Sequence, residues 1–400
     1  MAASGFELGK RLRAAREKQG RSQVAVAGLC GITVDYLSQI ERGLKLPSLT
    51  VLSSLAREVG TPLSVLLGEP DQAAPSGSGS ATSVVEGLLG IGPAAVSGGD
   101  PLTSVVLRDR VEQAWRMWQT SPQRFTVAAA VLPTLIAEVE CARRASATAT
   151  PDERREVLRC AADLYGLLRS YCRRTGRSDL SVMVADRALR AAEEADDPVR
   201  IAAAHWNLGH VLLGDDRPDD AEHVARQGLS QLKECPGNQD SKAMQGALEL
   251  VVVLSRTHRR EWWPAREHLE KSAAPLADNA GEGNTMWTVF GPTNVKLHLL
   301  TIEMRAGETT EALRVADQVS TDVLPSRERR FTFTLDLARC YDLRREDTAV
   351  LLHLIDLEEM APEDLARSPE AHAIAHRLVR RVRPTYRRQA SSLAQRMGAL

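Results

Sequence analysis

At 400 residues the chain is too long for one compact core, and two or three structural units are expected. Apolar residues make up 43% and charged residues 26%, which excludes a disordered or fibrous chain. The net charge of −1 conceals a segregation: residues 1–70 carry +3, residues 369–400 carry +6 and the stretch between them carries −10. A basic head on an acidic middle suits a protein that meets a polyanion at one end. No apolar run approaches the ~18 residues of a membrane span, and the start MAASGFELGK lacks the apolar segment of a signal peptide. A cytoplasmic protein with no membrane partner is expected. The six cysteines form no CxxC pair, and all but Cys235 lie in apolar helical contexts, so they read as buried thiols.

The first expected helix, about Glu7–Lys18, buries Leu8, Leu12 and Ala15 and exposes Lys10, Arg11, Arg13 and Lys18. Residues 22–43 then read as two short helices joined by a tight turn. Ser22 and Thr33 are placed to cap them, and Gly31 supplies the left-handed residue between. On the second helix, Val34–Arg42, a step of roughly 100° per residue puts Tyr36, Leu37 and Ile40 on one side. Val34, Asp35, Ser38, Gln39 and Arg42 fall on the other, a short polar face free to meet a groove. Helices at Ser48–Val59 and Leu63–Leu67 follow, with Gly60 and Pro62 marking the break and Leu49, Leu52, Leu55 and Leu66 as core candidates.

The strings LRAAREKQGRSQ, GITVDYLSQIERGLKLPSLTVLSSLAREVG and PLSVLL resemble the helix-turn-helix of the bacterial XRE/Cro-like repressors, from about Leu8 to Leu67. The resemblance implies a five-helix DNA-binding domain over residues 1–68, with double-stranded operator DNA as partner. It implies that Arg16 and Glu41 form an internal ion pair and that Gln23 touches backbone or base. By helical phase Val34, Asp35, Ser38 and Gln39 are the groove-facing residues, Thr33 at the helix start joins the DNA-binding set, and Arg42, Lys45 and Ser48 are the phosphate contacts at the exit turn. Val24-Ala25-Val26 departs from the family, which usually carries acidic residues there.

From Glu69 the composition turns to EPDQAAPSGSGSATS and GLLGIGPAAVSGGDP, and residues 69–104 read as a flexible linker in which Val84–Ile91 is a small apolar patch. Beyond it everything reads as helix. Ser181, Ala221, Ala265 and Ala312 each follow a turn by five residues and are spaced by 40, 44 and 47. WNLGHVLLGDDRPDDAEHVARQGL resembles a tetratricopeptide repeat, and LDLARCYDLRREDTAVLL is a fifth unit. The fold expected is therefore all-α: the head tethered to an α-solenoid of tetratricopeptide-like helix pairs over 105–400. Its right-handed superhelix runs from about 105 to 360, and a basic segment at 369–397, kinked near Pro384, caps it.

Repeat register places Trp206, His210 and Leu213 on the concave side of one pair, and Asn294, Leu297, Thr301, Met304 and Arg305 on that of a later one. These are the candidate contacts for a peptide or small-molecule effector. His372 and His376 stand at i, i+4 with no further ligand at metal spacing, so no metal or cofactor is expected. No GxSxG, phosphate loop or HExxH is present, and an enzyme is not expected. The reading is a sequence-specific regulator, a homodimer held by its repeat body. The alternative is a non-enzymatic interaction scaffold with a vestigial helix-turn-helix.

Overall fold

The computed structural model describes residues 2–61, 66, 78–89, 101–233 and 237–399, and every regular element among them is helical. The chain divides into a head, residues 1–76, and a body, residues 77–400.

Four helices of the head lie among the described residues: α1 (Ala2–Lys18), α2 (Gln23–Leu29), α3 (Val34–Glu41) and α4 (Leu49–Glu58). The expected fifth helix, Leu63–Leu67, falls outside them except for Leu66, which is fully buried. Ser22, Thr33 and Ser48 cap α2, α3 and α4, each side chain accepting a backbone N–H of the first turn. Gly31 takes φ +65° between α2 and α3. Leu12, Val26, Leu37, Ile40 and Leu55 from all four helices meet in one core. Gly9 lets α1 cross α3 at backbone contact, since a Cβ there would lie 2.3 Å from the carbonyl oxygen of Ile40.

The body begins with α5 (Ser78–Leu89), inside the stretch expected to be a flexible linker. Val84 and Leu88 are 1% and 4% exposed, in the same core as Leu132 and Ile136, so this segment packs with the body. Val84 and Leu88 at i, i+4 form an apolar stripe that a Gly- and Ser-rich composition hides. Of the rest of the expected linker, residues 69–77 and 90–100 lie outside the described residues.

Helix pairs follow: α6 (Ser104–Thr120) with α7 (Arg124–Ala145), α8 (Pro151–Arg174) with α9 (Ser178–Glu194), and α10 (Pro198–Gly214) with α11 (Pro218–Leu232). In the next pair α12 (Gln239–His258) packs on α13 (Trp262–His268) and α14 (Ala274–Ala280), which are joined by a π-helical turn, Leu269–Ala273. Then come α15 (Pro292–Ala306) with α16 (Thr309–Ala316) and α17 (Arg327–Leu343) with α18 (Asp347–Met360). One geometry recurs. A left-handed residue ends the first helix at Gly176, Asp216, Arg260, Gly307 and Arg345, and five residues later Ser181, Ala221, Ala265, Ala312 and Val350 are buried. The long apolar α7 is a core helix, burying Leu132, Leu135, Ile136 and Val139.

The stack also joins its own ends. Arg124, at the start of α7, is 1% exposed and donates to Glu328 at 3.0 Å and to Asp364, with its guanidinium 4.4 Å from the ring of Trp118. Glu363, in α19 (Pro362–Leu365), accepts from the backbone N–H of Phe125 at 2.7 Å, and Arg327 donates to the carbonyl oxygen of Thr120 at 2.9 Å.

The C-terminal segment, expected as one kinked cap, is instead two helices, α20 (Pro369–Arg381) and α21 (Pro384–Arg396). Val382 and Arg383 are extended between them (ψ 146° and 148°), Arg383 because the residue before a proline avoids the helical region. Arg377 and Arg381 bond Asp342, and Arg396 bonds Glu358, so part of the basic tail is an ion-paired cap.

Replacing Arg124 by Ala leaves buried Asp364 with only Arg174, 4.0 Å away, and should cost about 3–5 kcal/mol of body stability. Chemical denaturation of the full chain measures it, and an unchanged midpoint would mean that the joint between the stack's ends holds nothing.

Candidate functional site

α3 owes its position to one buried ion pair. Arg16 of α1 reaches Glu41, at the end of α3, through Nε to Oε1 at 2.7 Å and Nη2 to Oε2 at 2.9 Å. Gln23 adds an Nε2 donor to the same carboxylate at 2.8 Å, and Arg16 also donates to the carbonyl oxygen of Arg21 at 2.9 Å. The hydrogen bond to Glu41 holds the Arg16 pKa above its ordinary value. Gln23, expected at the DNA, therefore spends its amide donor inside the head, and it acts on α3 as a positioning residue.

On the outer face of α3, Val34 is 39% exposed and Asp35 is exposed, while Ser38 and Gln39 are half-buried. The Gln39 amide donates to the Asp35 carboxylate at 2.6 Å, so these two side chains answer each other. Thr33 and Ser48 give their hydroxyl oxygens to backbone amides, which leaves the hydroxyl protons to be donated outward. Arg42 Nε bonds the carbonyl oxygen of Ser38 at 3.2 Å, and Lys45 Nζ lies 5.8 Å from the Tyr36 ring centroid. Leu44 and Leu46 flank Lys45 with 66% and 59% exposure, and Val24 and Leu29 are exposed on α2.

In the body the expected contacts do not form one wall. Leu213, Leu297 and Met304 are buried in separate apolar cores, and Arg305 is exposed. Thr301 donates to Asp336 at 3.0 Å, and Asn294 is 1% exposed with no partner for its Oδ1. Trp206 and His210 do meet, ring edge to ring face at 4.5 Å. Around them the fold gathers residues that repeat register did not single out. Arg169 sits over Trp206 at 5.4 Å and donates through Nε to Asn207 at 2.8 Å, while Arg173, Arg329 and His298 lie near enough to act on His210. Burial, then these arginines, pushes His210 well below the ordinary imidazole range, and burial with Arg329 takes His298 down to about 3. Arginines within the otherwise apolar run LYGLLRSYCRR were the available signal.

A loop closes part of the same wall. Met286, Trp287 and Val289 all adopt positive φ between α14 and α15, and Trp287 stacks on Trp115 of α6 at 4.6 Å. Gln119 donates to the carbonyl oxygen of Trp287 at 3.1 Å, and Phe290 fills the space a side chain at Gly246 would need. The gap left beside Trp287 is about 20 Å³, room for one water. Among the described residues no group of His, Cys, Asp and Glu is placed to hold a metal ion.

Residues 7–66 match the family described as a helix-turn-helix domain. The head is a helix-turn-helix domain. It is 43% identical over 60 residues to the transcriptional regulator ClgR of Mycobacterium tuberculosis, a match that covers 15% of this chain and 54% of that one. It is 36% identical over 72 residues to the HTH-type transcriptional regulator PuuR of Escherichia coli, covering 18% and 39%. The chain thus spans about half or less of the curated relatives it matches. Among solved structures the chain is similar to Bacillus thuringiensis PlcR, solved with the peptide PapR7 and DNA, at 10% identity and a TM-score of 0.34 over 86% of this chain and 99% of that one. ComR of S. thermophilus gives 12% and 0.28 over 97% and 98%.

Removing the Glu41 carboxylate (Glu41→Ala) strands Arg16 and Gln23 and should destabilise the head by about 3–5 kcal/mol. Near-native helicity and an unshifted melting transition of the head would contradict this. His298 generates a pH effect. Its folded pKa lies below its unfolded value, so the unfolded chain takes the proton first, and stability is lost as pH falls from roughly 6.5 toward 3. Melting temperatures between pH 7 and pH 5 should fall less steeply for His298→Gln than for the parent; equal slopes would place the loss elsewhere.

Proposed function

We propose that this chain is a cytoplasmic, sequence-specific transcriptional regulator. Its head lays α3 in the major groove of an operator, and its body senses an effector and holds two chains together. The observation that carries the reading is the outward face of α3, short and polar on a helix whose other side is core, in a head that matches a helix-turn-helix family. In the groove Gln39 offers a bidentate amide to adenine, Asp35 accepts from cytosine N4, and Val34 packs on a thymine methyl. The Gln39–Asp35 bond uses one amide N–H and one carboxylate oxygen, leaving the other N–H, the amide oxygen and the second carboxylate oxygen to face the bases. Arg42, Lys45 and the hydroxyls of Thr33 and Ser48 meet phosphates, fixing register without reading sequence.

A single head with a balance of +3 binds weakly at physiological salt, and pairing two heads raises affinity through effective concentration. The dimer contact is assigned to residues beyond Pro101, with half-sites about 34 Å apart or a multiple of it. The effector, a peptide or small molecule, is assigned to the inner wall around Trp206 and His210.

A gel shift against the DNA flanking the coding region tests the reading. Gln39→Ala should weaken the operator by about 1–3 kcal/mol and relax preference at one position. Arg42→Ala or Lys45→Ala should weaken all sequences alike and flatten the salt dependence. Unaltered affinity of Gln39→Ala would mean that α3 does not read the groove in this phase. Sedimentation of the full chain should give a dimer at micromolar concentration, and a monomer that still footprints a palindrome would remove the dimer contact from the body.

A further inference from the structure

The inner wall of the body concentrates positive charge that the protein does not neutralise. Arg124, Arg169, Arg173, Arg174 and Arg329 gather around two carboxylates, Glu328 and Asp364. Both acids are engaged. Glu328 accepts from Arg124 and Arg174, and Asp364 from Arg124. Arg169 is 4% exposed, and its acceptor is the amide oxygen of Asn207. Arg173 and Arg329 form no hydrogen bond or ion pair with any described residue, and Nε of Arg173 is buried without an acceptor. Both keep part of their surface open.

Burial and mutual repulsion push Arg169 down to about 9 and Arg173 to about 10, and Arg329 is lowered as well. At neutral pH all three still carry their charge. Cations that outnumber their counter-ions, here five arginines around two carboxylates, destabilise the empty fold, and an entering anion reverses that cost. Structural arginines behave otherwise here: Arg200 meets Asp163 and Arg266 meets Glu303, each through paired nitrogens.

We infer that this cluster is a binding site for an oxyanion, a phosphoryl or carboxylate group of the effector, held by Arg169, Arg173 and Arg329 with Asn207, His210 and His298 around it. As an assignment of the effector's chemistry it rests on the sensing role proposed above. Guanidinium forks bind such groups through two parallel N–H donors. His210 and His298, kept neutral, offer donors without adding charge. Trp206, beneath Arg169 and edge-on to His210, supplies an apolar surface for the rest of the ligand.

The test is thermal denaturation of the full chain in inorganic phosphate, pyrophosphate or citrate, each against sodium chloride at equal ionic strength. At least one oxyanion should raise Tm by about 3 °C or more over chloride. A larger response to phosphate and pyrophosphate identifies a phosphoryl group, and a larger one to citrate a carboxylate. Arg173→Gln and Arg329→Gln each remove an unpaired cation. They should leave the anion-free Tm unchanged or higher while cutting the response at least by half. No rise beyond chloride, or full responses in both variants, overturns the site. So does a lowered anion-free Tm in both variants with the response intact, which would make the arginines braces of the fold. Gel shifts in the same anions separate the two readings: an anion response without operator binding removes the regulator and keeps the site.

Discussion

The body depends on how closely two helices of a pair can approach. A left-handed residue reverses the chain, and five residues later a buried residue, small in four of the five units, sits where the second helix crosses the first. Ser181, Ala221, Ala265 and Ala312 hold that place, and Val350 shows that a β-branched residue is accommodated in the last unit. At Asp216, Arg260 and Arg345 the chain tolerates positive φ without glycine, a local strain of order 1–3 kcal/mol offset by the packing it permits. Bulk at the crossings would part the helices and thin the continuous core that runs from pair to pair.

The head follows a different rule, since it is too small to rely on apolar burial alone. One carboxylate, Glu41, collects Arg16 and Gln23 and thereby ties α1, α2 and the end of α3 together. The outward face of α3 can be polar because its orientation is fixed from behind. Gln23 spends an amide N–H on that frame.

Much of this was legible in the sequence where local signals and burial agree. The caps at Ser22, Thr33 and Ser48, the turn at Gly31 and the spacing of small residues in the body are one-dimensional patterns with direct structural causes. What escaped depends on tertiary neighbours. Helix α5 hid in a Gly- and Ser-rich stretch because two apolar residues suffice when a groove on α7 receives them. Gly9 gave no signal, because its need is an approaching backbone from another helix. The inner wall was half-seen: register found Trp206 and His210, but Arg169 and Arg173 stand on α8 and meet Arg329 of α17, more than 150 residues away in the chain.

The joint between the two ends of the stack changes how the body can come apart. An open solenoid has two free ends, each held by one neighbour, and it frays from them. Here Arg124 meets Glu328 and Asp364 across 204 and 240 residues, so the first and late units become neighbours. The units at the joint then have a neighbour on each side, and unfolding one of them breaks two interfaces instead of one. Closing a segment of that length costs about 5 kcal/mol of chain entropy, so the joint forms after the stack it closes.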